Sequence, residues 1–271
     1  MTLDLLVPGV YSWLQLPSGP GRANAGVIVD QDGVTVIDTL LSAPQWMPLG
    51  EAVETLGFPV PRVVLTSSNA EYAGGTARFR TSAVYGRQQA SVHLDQPVDP
   101  TVLRRLYPAH ADEIDDDFAT RPVSHIVDDV VQLTPAVVLV PMTGQQEENL
   151  VAHVPAAEIV FAGAMCSFGV TPLAHQGHLA AWADALDDLL NLAPIVVPGH
   201  GPIGGEEEVR DLQGYLRACV DADGDPSRVG SGPWDAWAAR EHDTVNVERA
   251  AMLARGDDGI PPSFMALLGL G

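Results

Sequence analysis

Residues 61–75, PRVVLTSSNAEYAGG, pass from an apolar run into a polar loop and then a Gly-Gly pair. The pattern reads as a strand that delivers a loop and then a helix start, and loops at strand ends are where sites are built. This loop offers Ser67, Asn69, Glu71 and Tyr72: a hydroxyl, an amide, a carboxylate and a phenol. A second strand-like run, PIVVPGHGP, ends on His200 in a Pro- and Gly-rich turn. An imidazole, with a free pKa near ~6.5, suits general acid–base work there. A carboxylate, a phenol and an imidazole sharing one cleft can abstract a proton and hold the resulting enolate oxygen. Ser67 becomes a nucleophile only if a base such as His200 reaches it. No nucleophile-elbow glycine pattern surrounds it, and no orienting acid is evident. The segment PLAHQGHL sets His175 and His178 three apart, a spacing that can bind a metal, but at a loop-to-helix junction. Cys166 reads as a small buried side chain, and Glu147 and Glu148 as solvated rim residues.

Strands and helices must carry these side chains. VYSWLQL, AGVIVD and GVTVIDT are apolar or alternating, with QDG as a hairpin turn between the last two. Residues 44–57 read as a helix ended by Gly57, with Pro59 beyond it. PRVVLT is a buried strand, a helix follows over about 70–80, and AVYGR is another short strand. Residues 99–118 read as helical and acidic. Strands resume with HIVDDVVQL, AVVLVPM, NLVAHVP and EIVFAGA. Helices are expected at 178–192 and about 205–220, on either side of PIVVPGHGP. DADGDPSRVGSGPW is a turn-rich connector to two or three short helices in the tail. Strands then helices, in two similar halves, predict an α/β sandwich: two sheets face to face with helices outside.

The bulk composition narrows the function. The chain has 271 residues, 46% of them hydrophobic, enough for a large core. Its formal net charge is −21 and it contains no Lys, so all 14 basic residues are Arg. Such acidity argues against nucleic acid and anionic membrane surfaces as partners. Cys166 and Cys219 make no disulfide framework. The N-terminus has no basic region before its apolar residues, so no signal peptide is expected. No apolar run reaches the ~18 residues of a membrane span. A cytoplasmic protein is the expectation.

Between Gly9 and Gly205 the chain resembles the metallo-β-lactamase superfamily. NAGVIVD, GVTVIDT, VVLT, AGG, PAAEIVFAG and PGHG carry the resemblance by their order and spacing. HDTVNVERA, starting at His242, resembles an extension of some bacterial members. The resemblance implies a metallo-β-lactamase-type αββα sandwich of two mixed sheets. It further implies a domain over 1–225 and a C-terminal helical extension over 226–271 packed on it. Asp38 matches the family's structural Asp that hydrogen-bonds the motif loop. The family's metal motif, His-x-His-x-Asp-His, falls here on Ser67, Asn69, Glu71 and Tyr72. Its later His ligand falls on Gln145, and its bridging Asp on Ala164. Only the His of PGHG survives, as His200.

Neutral Ser, Asn and Gln bind zinc poorly, and Ala offers no donor. Without a bound metal there is no metal hydroxide at neutral pH. No cofactor is therefore expected. Yet Ser67, Asn69, Glu71, Tyr72 and Gln145 keep the site polar, which is not how a merely decayed site need fill. The leading expectation is a metal-independent enzyme acting on a small carbonyl-bearing molecule by elimination, isomerisation, cyclisation or easy hydrolysis. His200, Glu71 and Tyr72 are its catalytic candidates; Ser67, Asn69, Gln145 and His178 are its substrate-binding candidates. A second reading is a non-catalytic pseudoenzyme that binds a small ligand or a protein partner, a homodimer included. A third is a mononuclear metallo-hydrolase rebuilt on Glu71, His200 and one of Cys166, His175 or His242.

Overall fold

Alternation along the strands decides which face each residue takes, and so what it packs against. The computed structural model describes residues 2–270; Met1 and Gly271, the outer limits of the two expected segments, lie outside the described residues. The first sheet runs β1 (Asp4–Val7), β2 (Val10–Trp13), β3 (Ala25–Asp30), β4 (Gly33–Ile37), β5 (Arg62–Val64), β6 (Ala83–Gly86) and β7 (His125–Ile126), in that order. It is antiparallel as far as β4 and parallel from there on. The second contains β8 (Val131–Thr134), β9 (Val137–Met142), β10 (Asn149–Val154), β11 (Ile159–Ser167) and β12 (Ile195–His200), ordered β12-β11-β10-β9-β8. Only β11 and β12 pair in parallel there.

On β3, Ile28 turns inward and meets Leu139, Leu150, Phe161 and Val197 of the other sheet. Val27, one residue earlier, turns outward into a cluster with Leu49 and Val53 of α1 (Ala43–Glu54). On β10, Leu150 and Ala152 join the layer between the sheets, while Val151 joins the outer cluster. That cluster holds α5 (Leu179–Leu192) and α6 (Glu206–Asp221) through Trp182, Leu186, Leu212 and Leu216. The result is helices, two sheets and helices, with β11 buried along its whole length. Three shorter helices, α2 (Ala70–Ala73), α3 (Gln88–Leu94) and α4 (Pro100–Leu106), lie between strands β5 and β7 of the first sheet along the chain. The tail supplies α7 (His242–Ala254) and α8 (Pro262–Leu267). Val247 and Ala250 of α7 enter the α5/α6 cluster, so the tail shares that core. No described helix is long and apolar enough to cross a membrane.

Three details differ from the sequence expectation. HIVDDVVQL is not one strand: β7 closes the first sheet and β8 edges the second. The helix expected over 70–80 is α2 followed by a 3-10 turn over Gly74–Arg78. The helix expected over 99–118 stops at Leu106. Pro108 can neither donate a backbone hydrogen bond nor let Tyr107 stay helical, and a 3-10 turn takes over.

Candidate functional site

The loop after β5 is held from beneath by Asp38. Its carboxylate accepts hydrogen bonds from the Thr66 amide (2.8 Å) and the Thr66 hydroxyl (2.7 Å). Asp38 is buried and left-handed at φ 58, a conformation that costs a non-Gly residue energy and clusters at functional sites. Burial pushes its pKa up to about 8, even against the two Thr66 bonds. Thr66 also explains Gly163: at φ +47, a Cβ there would lie 2.0 Å from the Thr66 hydroxyl oxygen. The turn bearing His200 is tied down separately. The Asn24 amide donates to the carbonyls of Pro198 (3.0 Å) and Gly201 (2.9 Å).

Between these two anchored turns lies a cleft at the strand ends, lined by Asn69, Glu71, Tyr72, Gln145 and His200 among others. Its cavity volume is about 50 Å³. It is therefore narrow. Glu71 Oε2 lies 3.3 Å from His200 Nε2 and accepts the Gly21 amide at 2.8 Å. Burial pushes the Glu71 pKa up, but the His200 imidazole and the Gly21 N–H outweigh it, and the net shift is downward. Glu71 is thus a carboxylate at neutral pH. Tyr72 presents its ring to His200 edge-on, with centroids 6.1 Å apart at 74°. Burial, then Glu71, holds Tyr72 well above the ordinary phenol range, so it stays a neutral donor. His200 Nδ1 is sealed from solvent and has no hydrogen-bond partner.

The other expected site residues divide. Asn69 donates to Gln145 Oε1 (3.2 Å), and Gln145 donates on to the Leu173 carbonyl (3.1 Å); both line the cleft. Ser67 does not line it. Its hydroxyl donates to Gln146 Oε1 (2.7 Å), and Gln146 donates to Gln176 Oε1 (2.6 Å). The Ser67 proton thus points to an amide rather than to His200. His178 stands at the N-cap position of α5 without a capping hydrogen bond and faces shallow hollows outside the cleft. Glu148 is buried rather than solvated: it accepts from the Ser68 hydroxyl (2.6 Å) and pairs with His93 (3.2 Å).

Three cleft residues, Tyr107, Thr171 and His242, had no place among the sequence-derived catalytic and binding residues. Tyr107 is a neutral phenol, its pKa raised by burial and then by Glu71. His242 reaches the cleft from the tail, far along the chain; the sequence offered it only as a possible metal ligand, within the HDTVNVERA segment. His175 also lines the cleft, stacked on Phe264 of α8 with centroids 4.0 Å apart at 10°. Burial, then the nearby Arg249, pushes its pKa down to about 4.

The donor set does not fit the zinc centre that the fold family implies. Amides stand at two of the implied ligand positions, and Ser67, Tyr72 and Ala164 add no ready ligand. Burial pushes the Cys166 thiol far up, away from the thiolate that metals bind. Among the described residues no three His, Cys, Asp or Glu side chains converge as a ligand group. The rebuilt mononuclear centre finds no support in these residues.

No protein-family model matches the chain. Solved structures do. The metallo-β-lactamase FIM-1 from Pseudomonas aeruginosa, in its mono-zinc form, superposes with a TM-score of 0.61 at 19% identity, over 80% of this chain and 94% of that one. A metallo-β-lactamase from Hirschia baltica gives 0.59 at 18% identity, over 80% and 98%. The DIM-1 metallo-β-lactamase gives 0.60 at 16% identity, over 79% and 96%. At such identities the likeness establishes the fold: this chain has the metallo-β-lactamase fold.

Proposed function

We propose that the protein is a metal-independent enzyme that uses acid–base chemistry on a small carbonyl-bearing molecule. The observation that carries this reading is the Glu71–His200 pair, 3.3 Å apart at the wall of a narrow cleft. An ionised carboxylate and an imidazole in contact can pass a proton between substrate atoms. Tyr72, held neutral, is suited to donate a hydrogen bond to the oxygen of a forming enolate. The amides of Asn69 and Gln145 are suited to orient the carbonyl. No Arg lines the cleft and the chain has no Lys, which favours an uncharged substrate over an anionic one. Elimination, isomerisation, cyclisation and easy hydrolysis all use this set.

The test is a turnover screen on chelator-dialysed protein, with uncharged esters, lactones and enolisable ketones. The expected result is a substrate whose turnover falls about 100-fold in His200→Ala and does not rise on adding zinc. Equal rates in wild type and His200→Ala, on an identified substrate, would sink the role given to His200. The second reading, a non-catalytic binder, draws on one observation. Ser67 donates to Gln146, and Gln146 donates to Gln176, as in an inert scaffold. Tight binding of a ligand from the same screen, with no turnover, would favour it.

A further inference from the structure

The cleft holds a third imidazole besides His200 and His175, and its geometry differs from both. His242 Nδ1 lies 2.9 Å from the Thr171 carbonyl oxygen. A carbonyl only accepts, so the imidazole proton must sit on Nδ1 and Nε2 carries a lone pair. That Nε2 has no partner among the described residues and is not sealed from solvent. His242 lines the cleft, so the bare nitrogen has the cleft to open on. At His200, by contrast, Nε2 is engaged by Glu71 and Nδ1 is sealed. At His175 no hydrogen bond fixes a tautomer, and Nδ1 is sealed as well.

We propose that His242, delivered by the C-terminal segment and oriented by the Thr171 carbonyl, is the general base of the cleft, leaving Glu71–His200 as the charge-stabilising and proton-returning side. This rests on the acid–base reading above and adds to it. The division is chemically sensible. Burial lowers the basicity of His242, while the Thr171 carbonyl, Glu241 and Glu71 raise it in part and His200 lowers it, for a net downward shift. His242 is therefore unprotonated at neutral pH and ready to accept a proton. The nearby Glu71 carboxylate then stabilises the imidazolium that forms, without having to take the proton itself.

A flat, uncharged carbon acid tests this directly. The probe is 5-nitrobenzisoxazole. His242 Nε2 would take the C3 proton, the C–H electron pair would become the third bond of a nitrile, and the N–O bond would break with the pair leaving on the phenolate oxygen. The coloured nitrophenolate reports the rate. The decisive variant is His242→Asn, which keeps an N–H for Thr171 but lacks the Nε2 lone pair. The expected loss is at least about 10-fold, with unchanged folding by circular dichroism. The wild-type rate should rise to a plateau with a midpoint below the ordinary imidazole value. The charged and titratable groups that bear on it are Glu71, His200, His175 and Glu241. Glu71→Gln should move that midpoint lower still, because it removes a negative charge that favours the imidazolium. A wild-type rate in His242→Asn, with loss only in Glu71→Gln, would overturn this inference and leave the wider reading standing. No rate above buffer in the wild type would overturn it as well. Independently of any substrate, ¹⁵N spectra with His242 protonated on Nε2 at pH 7 would do the same.

Discussion

The two sides of the cleft hold polar residues for opposite reasons. On one side, Ser67 donates to Gln146 and Gln146 to Gln176, and none of the three lines the cleft. On the other, Glu71, His200 and His242 line open space, with a charged carboxylate and a bare imidazole nitrogen. Ser67 and Glu71, one from each set, come from the same segment after β5. Polarity alone is therefore a poor guide to function: buried polar groups that satisfy one another stabilise a scaffold, and those left open can act on something else.

Substitutions can break or sharpen that contrast. The largest effect is expected from Glu71→Ala, which leaves the Gly21 N–H and His200 Nε2 without their acceptor. Turnover should fall at least about 100-fold. Urea unfolding should lose about 3 kcal/mol, as when one member of a buried pair is removed. A small change in both would place Glu71 among the inert groups.

The support beneath both sides comes next. Asp38 has its pKa raised to about 8 in the folded state. A raised carboxyl stabilises the fold fully below its unfolded value, and that stability is lost as pH rises through the folded value. Wild type should therefore lose about 2 kcal/mol relative to Asp38→Asn between pH 6 and pH 8. Parallel urea curves for the two proteins across that range would contradict this. Third is Ser67→Ala, which strands Gln146 Oε1 and the Asn69 backbone N–H. It should cost about 1 kcal/mol of stability and change turnover less than about twofold. A large loss of turnover with intact stability would return Ser67 to the chemistry. The smallest effect is expected at His178, which makes no capping bond and lies outside the cleft. His178→Ala should shift stability by less than about 0.5 kcal/mol and leave ligand binding unaltered.

Much of this architecture was legible along the chain. The β3–β4 hairpin follows from its alternation and turn, and β5 from RVV before a polar loop. That Glu71, Tyr72 and His200 share a cleft with Asn69 and Gln145 followed from strand ends together with the family resemblance. Local propensity gave no warning that the helix after Asn69 would be cut short. There Gly74 and Gly75 press against the backbone of Thr39–Leu41, where an added Cβ would come within 2.1 Å of a carbonyl oxygen. Nor did periodicity reveal that Ile126 and Val131, five residues apart, belong to different sheets. His242 was the hardest to see. Its contact with Thr171 spans 71 residues, and no short motif encodes a pairing over that distance. Glu148, too, looks like a rim charge until Ser68 and His93 are brought to it.

The wall that His242 adds belongs to α7, and the ring that backs His175 belongs to Phe264 on α8. A chain growing on the ribosome completes both sheets, through His200, before either residue has been made. A chain made only that far contains every strand of the sandwich but lacks His242 from the cleft wall. The cleft therefore has its full lining, and His175 its backing ring, only in a chain made through Phe264.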